Sequence, residues 1–140
     1  MRNQQKDGQR QRRPKILIID DDVAISQQLF WALCDDFEVL TARDLISALR
    51  LAERYEPEIY ILDLCLPPIV HSPEVGLYIL GHLRQKLPAS KILVVSSAAN
   101  SETHQRCVQN GATAVFKKPL DLELFLQALR RHSTQNLSEH

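Results

Sequence analysis

The sequence has few cysteines, no long apolar run and no cluster of histidines. Its three cysteines, Cys34, Cys65 and Cys107, are odd in number and have no C-x-x-C spacing, which argues against a disulfide framework and a zinc site. The histidines lack metal-ligand spacing, and no apolar stretch approaches the roughly 18 residues of a membrane span. The amino-terminal stretch has no apolar segment of signal-peptide length. We therefore expect a cytoplasmic protein that does not enter a membrane.

Net charge is also absent, because 17 basic residues balance 17 acidic ones. The charges are nevertheless uneven, since residues 1–15 contain six basic residues and one acidic residue. The polar, Gln-rich residues 1–14 therefore predict a disordered basic leader. Residues 15–132 are expected to fold as one domain, with 133–140 as a carboxyl-terminal tail. The sequence contains no DNA-binding motif, so we expect no direct nucleic-acid binding by this domain.

Short apolar runs alternate with stretches of helical periodicity throughout the predicted domain. Such runs are typical of strands buried on both faces, and their alternation with helices predicts a parallel sheet with right-handed crossovers. Aspartates that precede three of the periodic stretches can cap the helices that follow. The predicted strands are 15–19, 37–40, 58–63, 91–95 and 113–116, and the predicted helices begin after Asp22 and Asp44, span 74–87 and 101–110, and begin after Asp121.

Four of these strands end at a chemically distinctive side chain. In a parallel sheet the carboxyl ends of the strands share one edge, so these side chains should converge. Carboxylates held close together repel one another, which raises the pKa of at least one of them unless a cation intervenes. Oxygen ligands of this kind select a hard ion, and Mg²⁺ is the ion we expect. The residues at the strand ends are Asp20 and Asp21, Asp63, Ser96 and Lys118.

The same cluster suggests a chemistry. Mg²⁺ would leave space for a phosphoryl group and would neutralise its oxygens during an in-line transfer. The Lys118 ammonium and the Ser96 hydroxyl could each contact a phosphoryl oxygen. Asp63 precedes a Pro-rich loop, and we expect it to be the carboxylate that is both exposed and central. We therefore expect Asp63 to be the nucleophile and to form an aspartyl phosphate.

With these residues the chain resembles the receiver domain of two-component response regulators, over about residues 15–132. Ser96 and Lys118 are separated as they are in receivers, with Gly111 between them. The resemblance implies a flavodoxin-like α/β fold, with a doubly wound five-stranded parallel sheet in the order 2-1-3-4-5 flanked by five helices. The matching motifs are Ile18-Ile19-Asp20-Asp21, Leu62-Asp63-Leu64-Cys65-Leu66-Pro67, Val94-Val95-Ser96, Asn110-Gly111-Ala112 and Lys117-Lys118-Pro119.

The resemblance also implies roles for the residues of the site. Asp63 would accept a phosphoryl group from the phosphohistidine of a sensor histidine kinase or a phosphotransfer protein. Asp21 and Asp63 would bind Mg²⁺ together with the backbone carbonyl of Cys65, while Asp20 would act mainly through water. Such a domain is not a turnover enzyme, because it catalyses only its own phosphorylation and dephosphorylation.

Two further residues and the partners follow from the same resemblance. Ser96 and Lys118 would hold the phosphoryl oxygens in the signalling state. The phosphorylated domain would then act on an output domain or a second copy of itself, through the face formed by the fourth helix, the fifth strand and the fifth helix.

Three features depart from the usual receiver pattern. From Pro67 to Gly76 the chain is longer than the usual Pro-Asp-x-x-Gly turn, so this loop either shields the acyl phosphate or shapes a partner's footprint, or is a tolerated insertion. Val115 stands where a switching Tyr or Phe is usual, and Phe116 should point the opposite way along the strand. We therefore expect output through backbone shifts after the fourth strand rather than through an aromatic gate. Ser97 replaces a common Ala or Gly and should face solvent.

A phosphatase of the haloacid dehalogenase type is the alternative reading. Asp20-x-Asp22 after an apolar strand imitates its nucleophile motif, with Ser96 and Lys118 as its further motifs. In that reading Asp20 would be the nucleophile, but Asp63 would have no task. The reading also needs a strand ending in an acidic pair after Lys118, where the sequence predicts a helix. A flavin mononucleotide binder of the same topology is disfavoured because no phosphate-cradling loop follows the first strand.

Overall fold

The computed structural model describes residues 13–97 and 100–137. Within them five parallel strands form one sheet in the order β2-β1-β3-β4-β5, flanked by five helices. This confirms the predicted doubly wound, flavodoxin-like α/β fold. The elements are β1 (Lys15–Ile19), α1 (Val23–Leu33), β2 (Glu38–Ala42), α2 (Leu45–Tyr55), β3 (Ile59–Leu62), α3 (Glu74–Lys86), β4 (Lys91–Ser96), α4 (Ser101–Gln109), β5 (Ala114–Lys117) and α5 (Leu122–Leu137).

Most of the predicted boundaries differ from the structure by one or two residues, and three of the differences have a clear physical reason. β2 lies later than predicted because Thr41 and Ala42 pair with the end of β1. Pro14, assigned to the leader, belongs to the domain, since its carbonyl oxygen accepts a hydrogen bond of 2.9 Å from the Glu38 N–H. α5 continues to Leu137, where a tail from residue 133 was predicted, because residues 133–137 contain neither Pro nor Gly to end it. Arg13 of the predicted leader is described as well, and its Nη1 atom donates to the Cys34 carbonyl oxygen over 2.8 Å. The remaining residues 1–12, for which disorder was predicted, lie outside the described residues.

The sheet separates two apolar layers, which explains why β3 is buried on both faces. Tyr60 and Leu62 belong to the layer under α2 and α3, whereas Ile59 and Ile61 belong to the layer under α1 and α5. All four residues of β3 are buried. Burial of each large aliphatic side chain contributes roughly 1.5 to 3 kcal/mol. The central strand is therefore a rigid support for Asp63, the residue that follows it.

Tyr60 is the exception within this apolar interior. Its side chain is completely buried, and its hydroxyl has no hydrogen-bond partner in the described part of the chain. Burial raises the pKa of this phenol well above its ordinary value. A buried hydroxyl without a partner loses its hydrogen bonds to water, which costs free energy of folding.

The two neighbouring residues of β5 face opposite layers, as predicted from the alternation of a strand. Val115 packs against the layer under α2 and α3, and Phe116 packs against the layer under α1 and α5. The Phe116 ring meets the Phe125 ring edge to face, with centroids 5.0 Å apart. The side of β5 occupied by Val115 therefore carries no aromatic ring at this position.

The edge of the sheet opposite the strand ends is fixed by Arg84, near the end of α3. Its Nε and Nη2 atoms donate to the Gly111 carbonyl oxygen over 2.9 and 2.8 Å. Its Nη1 atom donates to the carbonyl oxygens of Pro88 and Ser90, over 2.8 Å each. Gly111 has a φ of 99°, a conformation that glycine adopts without strain, and it follows α4 as the predicted cap glycine.

Candidate functional site

Three carboxylates meet at the carboxyl edge of the sheet. Asp20 and Asp21 follow β1, and Asp63 follows the adjacent strand β3. The Asp63 N–H donates to the Ile19 carbonyl oxygen over 2.8 Å, so the ladder continues to the residue that carries the acid. One oxygen from each carboxylate lies within 4.8 Å of the others. Asp20 and Asp63 are only 4% and 5% exposed, whereas Asp21 is half-exposed. The expectation that Asp63 is exposed was therefore wrong, because this residue continues the ladder of the buried strand β3.

Lys118 supplies the positive charge of this cluster. Its Nζ atom is 3.0 Å from Asp20 Oδ2 and 3.5 Å from Asp63 Oδ1. The lysine follows β5, and its backbone N–H donates to the Ser96 carbonyl oxygen over 3.1 Å. The peptide bond from Lys118 to Pro119 is cis. The Lys118 ammonium thus lies between Asp20 and Asp63, at the carboxyl edge of the sheet, as predicted from the sequence.

One lysine does not balance three acids, and the pKa directions follow from that excess. Burial raises the pKa of Asp63 to about 6, and the neighbouring Asp20 charge raises it too, although Lys118 and the Cys65 backbone N–H oppose the rise. Burial also raises the pKa of Asp20, against the Asp22 backbone N–H and Lys118. Burial works against the charged form of Lys118, but Asp20 and Asp63 outweigh it, so its pKa is raised as well.

A pH dependence of stability follows for the metal-free protein. The pKa of Asp63 rises from 3.8 to about 6, so the folded protein binds this proton more tightly than the unfolded chain does. The resulting contribution to the free energy of unfolding is complete below pH 3.8 and is lost as the pH rises through 6. Asp63→Asn should therefore unfold at higher denaturant concentration than the wild type at pH 7 in EDTA, by on the order of 2 kcal/mol in free energy of unfolding.

The same comparison contains its control, because the advantage of Asp63→Asn should shrink toward zero near pH 4, where the wild-type carboxyl is protonated. Urea titrations of both proteins at each pH measure the difference. An advantage that is equal at pH 4 and pH 7 would contradict the assignment of a raised pKa to Asp63.

Ser96 and Cys65 belong to the same edge of the sheet, Ser96 as the last residue of β4 and Cys65 in the loop after β3. Ser96 is fully buried as the last residue of β4. The Cys65 thiol is half-buried; burial and Asp63 raise its pKa, whereas its hydrogen bond with the Ser96 side chain lowers it. Ser97 is exposed, as predicted. All the residues expected at the site therefore lie at the end of a strand or in the loop after it, on this edge.

A close contact between Gly76 and Leu64 was not predicted from the sequence, where Gly76 served only to mark the end of the long loop. The Gly76 N–H donates to the Leu64 carbonyl oxygen over 2.9 Å. A Cβ atom at Gly76 would lie 2.6 Å from that same oxygen. The first turn of α3 is thus pressed against the backbone that follows Asp63, so the loop is held at both ends.

The intervening loop is hydrogen-bonded to itself. The Ile69 N–H donates to the Leu66 carbonyl oxygen, and the Ser72 N–H donates to the Ile69 carbonyl oxygen. The side chains of Ile69 and Val70 are about half exposed. That this loop shields the site stays a prediction.

The donor set fits a hard divalent cation. Asp20, Asp21 and Asp63 offer oxygen ligands alone, within the span that one ion can bridge. Mg²⁺ is usually bound by one or two protein carboxylates and keeps several waters. The half-exposed Asp21 leaves one side of the cluster open to water, which suits such an ion.

Comparisons with known proteins agree with this geometry. Residues 16–130 match the family model for the response regulator receiver domain. The transcriptional regulatory protein KdpE of Mycobacterium tuberculosis is 33% identical over 122 residues, which cover 86% of this chain and 51% of KdpE. This chain spans about half the length of the curated relatives it matches.

Two solved structures show the same fold at lower identity. A CheY-like receiver domain protein from Methanospirillum hungatei superposes with a TM-score of 0.79 at 24% identity, covering 91% of this chain and 99% of that one. The BeF3-activated receiver domain of DrrB gives a TM-score of 0.76 at 21% identity, covering 85% and 96%. The chain belongs to the response regulator receiver domain family.

The family match and the fold leave the phosphatase alternative unsupported. After Lys118 the chain forms the helix α5, where a haloacid dehalogenase-type phosphatase would need a strand ending in an acidic pair.

None of the helices in the described residues is both long enough and apolar enough to span a membrane.

Proposed function

We propose that Asp63 accepts a phosphoryl group from the phosphohistidine of a sensor histidine kinase or phosphotransfer protein, in a reaction that depends on Mg²⁺. The observation that carries this proposal is the position of the Lys118 ammonium, 3.0 Å from Asp20 and 3.5 Å from Asp63. This places a cation and three acids around one small space at the end of the sheet.

Each residue has a defined task in the transfer. A carboxylate oxygen of Asp63 forms a bond to phosphorus while the bond from phosphorus to the histidine nitrogen breaks. Asp21, Asp63 and the Cys65 carbonyl would hold Mg²⁺, with Asp20 acting through water; the bound ion would neutralise phosphoryl oxygens. Lys118 and Ser96 act on the aspartyl phosphate that is formed.

Lys118 and Ser96 stabilise the phosphorylated state. The Lys118 ammonium exchanges a carboxylate partner for a phosphoryl oxygen, and the Ser96 hydroxyl donates to another. Because Val115 offers no aromatic ring on its side of β5, the change is transmitted by the backbone that follows β4 and by α4. This is a population shift between two conformations rather than turnover of a substrate.

The cellular setting follows from the same proposal. The chain works in the cytoplasm as a signalling phosphoacceptor and not as a turnover enzyme. Its output is exerted on a further domain or a second copy of the chain, through the face formed by α4, β5 and α5.

Intact-mass measurement after incubation with acetyl phosphate tests this function. With Mg²⁺ present, the wild-type protein should gain the mass of one phosphoryl group, and EDTA should prevent the gain. Addition of hydroxylamine, which attacks the carbonyl carbon of an acyl phosphate and releases phosphate, should remove the phosphoryl mass and leave a slightly heavier hydroxamate at Asp63. A protein that gains no mass, or gains it equally in EDTA, would contradict the proposal.

A further inference from the structure

A bidentate ion pair joins α3 to α4. The Arg106 Nη1 atom lies 2.8 Å from Glu74 Oε2, and the Nη2 atom lies 3.0 Å from Glu74 Oε1. Two parallel N–H···O bonds between a guanidinium and a carboxylate fix both side chains in one geometry. The Arg106 guanidinium, by its hydrogen bonds, lowers the pKa of Glu74. This pair is therefore better defined than an ordinary contact between exposed charges.

The two partners stand on the two chain segments that leave the site. Glu74 is the first residue of α3, at the end of the loop that starts at Asp63, and this loop is anchored by the bond from Gly76 to Leu64. Arg106 lies in the last turn of α4, which follows the strand that ends at Ser96. The ion pair therefore links the segment that follows Asp63 to the helix that follows Ser96.

The helix that carries Arg106 is weakly anchored by apolar burial. The described residues of α4 bury only Thr103 and Cys107, whereas those of α3 bury six, including Leu77, Leu80 and Leu83. Since hydrophobic stabilisation scales with the apolar area removed from water, apolar contacts hold α4 less firmly than α3. The Glu74–Arg106 pair consequently contributes a larger share of the interactions that hold α4 in position.

We propose that the Glu74–Arg106 pair is a latch that holds α4 in its unphosphorylated position and so sets the threshold for switching. This inference rests on the proposed function, because a contact made in only one of two conformations biases their populations. Breaking the pair lowers the free energy needed to displace α4, and the phosphorylated conformation becomes easier to reach.

Neutral variants of either partner test the latch, with beryllofluoride and Mg²⁺ as the phosphoryl analogue. Glu74→Gln and Arg106→Gln should each tighten the apparent affinity for beryllofluoride by between about two- and five-fold. In the absence of the analogue, both should speed amide hydrogen exchange within residues 101–109. The exchanged pair, Glu74→Arg with Arg106→Glu, should return both measurements toward the wild type.

Two control variants separate the latch from a general effect of charge. Glu102→Gln removes a charge that acts on Arg106 from the same helix without forming these hydrogen bonds. Glu38→Gln breaks a different exposed ion pair, with Lys15 at 3.9 Å. Neither control should change the beryllofluoride affinity. Agreement between Glu74→Gln and Arg106→Gln also excludes an effect of Glu74 on the amino terminus of α3 alone.

The outcomes distinguish failure of the latch from failure of the proposed function. Single variants that match the wild type in hydrogen exchange, or a double variant that restores nothing, would overturn the latch. A wild-type protein that takes up no beryllofluoride would contradict the proposed function instead, while the exchange measurement would still decide whether the ion pair restrains α4.

Discussion

The variant Asp63→Asn should take up no phosphoryl group from acetyl phosphate under conditions where the wild type takes up one. An amide has no anionic oxygen to attack phosphorus, so no covalent bond can form at this position. The loss should be complete rather than partial, since the nucleophile itself is removed. Intact-mass spectrometry of the two proteins, incubated side by side with Mg²⁺, measures it. Urea denaturation of the same variant checks that it is folded, so that a loss of labelling can be separated from unfolding.

Neighbouring acids provide the controls for this result. Asp21→Ala should still be labelled, but it should need a higher Mg²⁺ concentration, because a metal ligand and not the nucleophile is lost. Asp20→Asn should also keep its label, since Asp20 accepts from Lys118 and the Asp22 N–H but forms no bond to phosphorus. Labelling that persists in Asp63→Asn and disappears in Asp20→Asn would reverse the assignment and favour the phosphatase chemistry.

The second large effect is expected at Gly76. In Gly76→Ala the new methyl group would lie 2.6 Å from the Leu64 carbonyl oxygen, closer than non-bonded atoms can approach. The backbone of α3 or of the loop after Asp63 must move, at a cost of about 2 to 3 kcal/mol in free energy of unfolding. Urea denaturation measures the loss. Labelling by acetyl phosphate should fall as well, because Leu64 follows the nucleophile directly.

Gly81 on the same helix offers a matched control. A Cβ atom there would have Asn110 Oδ1 at 3.5 Å as its nearest neighbour, which is ordinary contact. Gly81→Ala should therefore stabilise the protein by about 0.5 to 1 kcal/mol, since alanine favours a helix over glycine. Equal effects of the two substitutions would mean that helix propensity alone, and not the approach to Leu64, decides the outcome at Gly76.

The strands and the acidic cluster could be predicted from the sequence because each depends on a local pattern. A run such as Ile16–Ile19 indicates a buried strand by its composition alone. The meeting of Asp20, Asp63 and Lys118 then needs no further information, because parallel strands end at a common edge. The opposite directions of Val115 and Phe116 followed from strand alternation in the same way.

What could not be predicted depends on distances between segments remote in sequence. The Glu74–Arg106 pair joins residues of two helices whose faces are fixed only when both have packed on the sheet. Gly76 looks like a loop residue in the sequence, and its closeness to Leu64 appears only once α3 is in place. The end of α5 was predicted wrongly because the polar residues after 132 are compatible both with a helix and with a tail.

The two carboxylate partners of Lys118 have a consequence for the energetics of signalling. Since the ammonium is already paired with Asp20 and Asp63, the contact with a phosphoryl oxygen that we propose would replace one attraction by another. The net gain is only the difference between them. The unphosphorylated and phosphorylated conformations that we propose would then differ in free energy by less than the new contact alone supplies, so that binding of a partner could shift the balance between them.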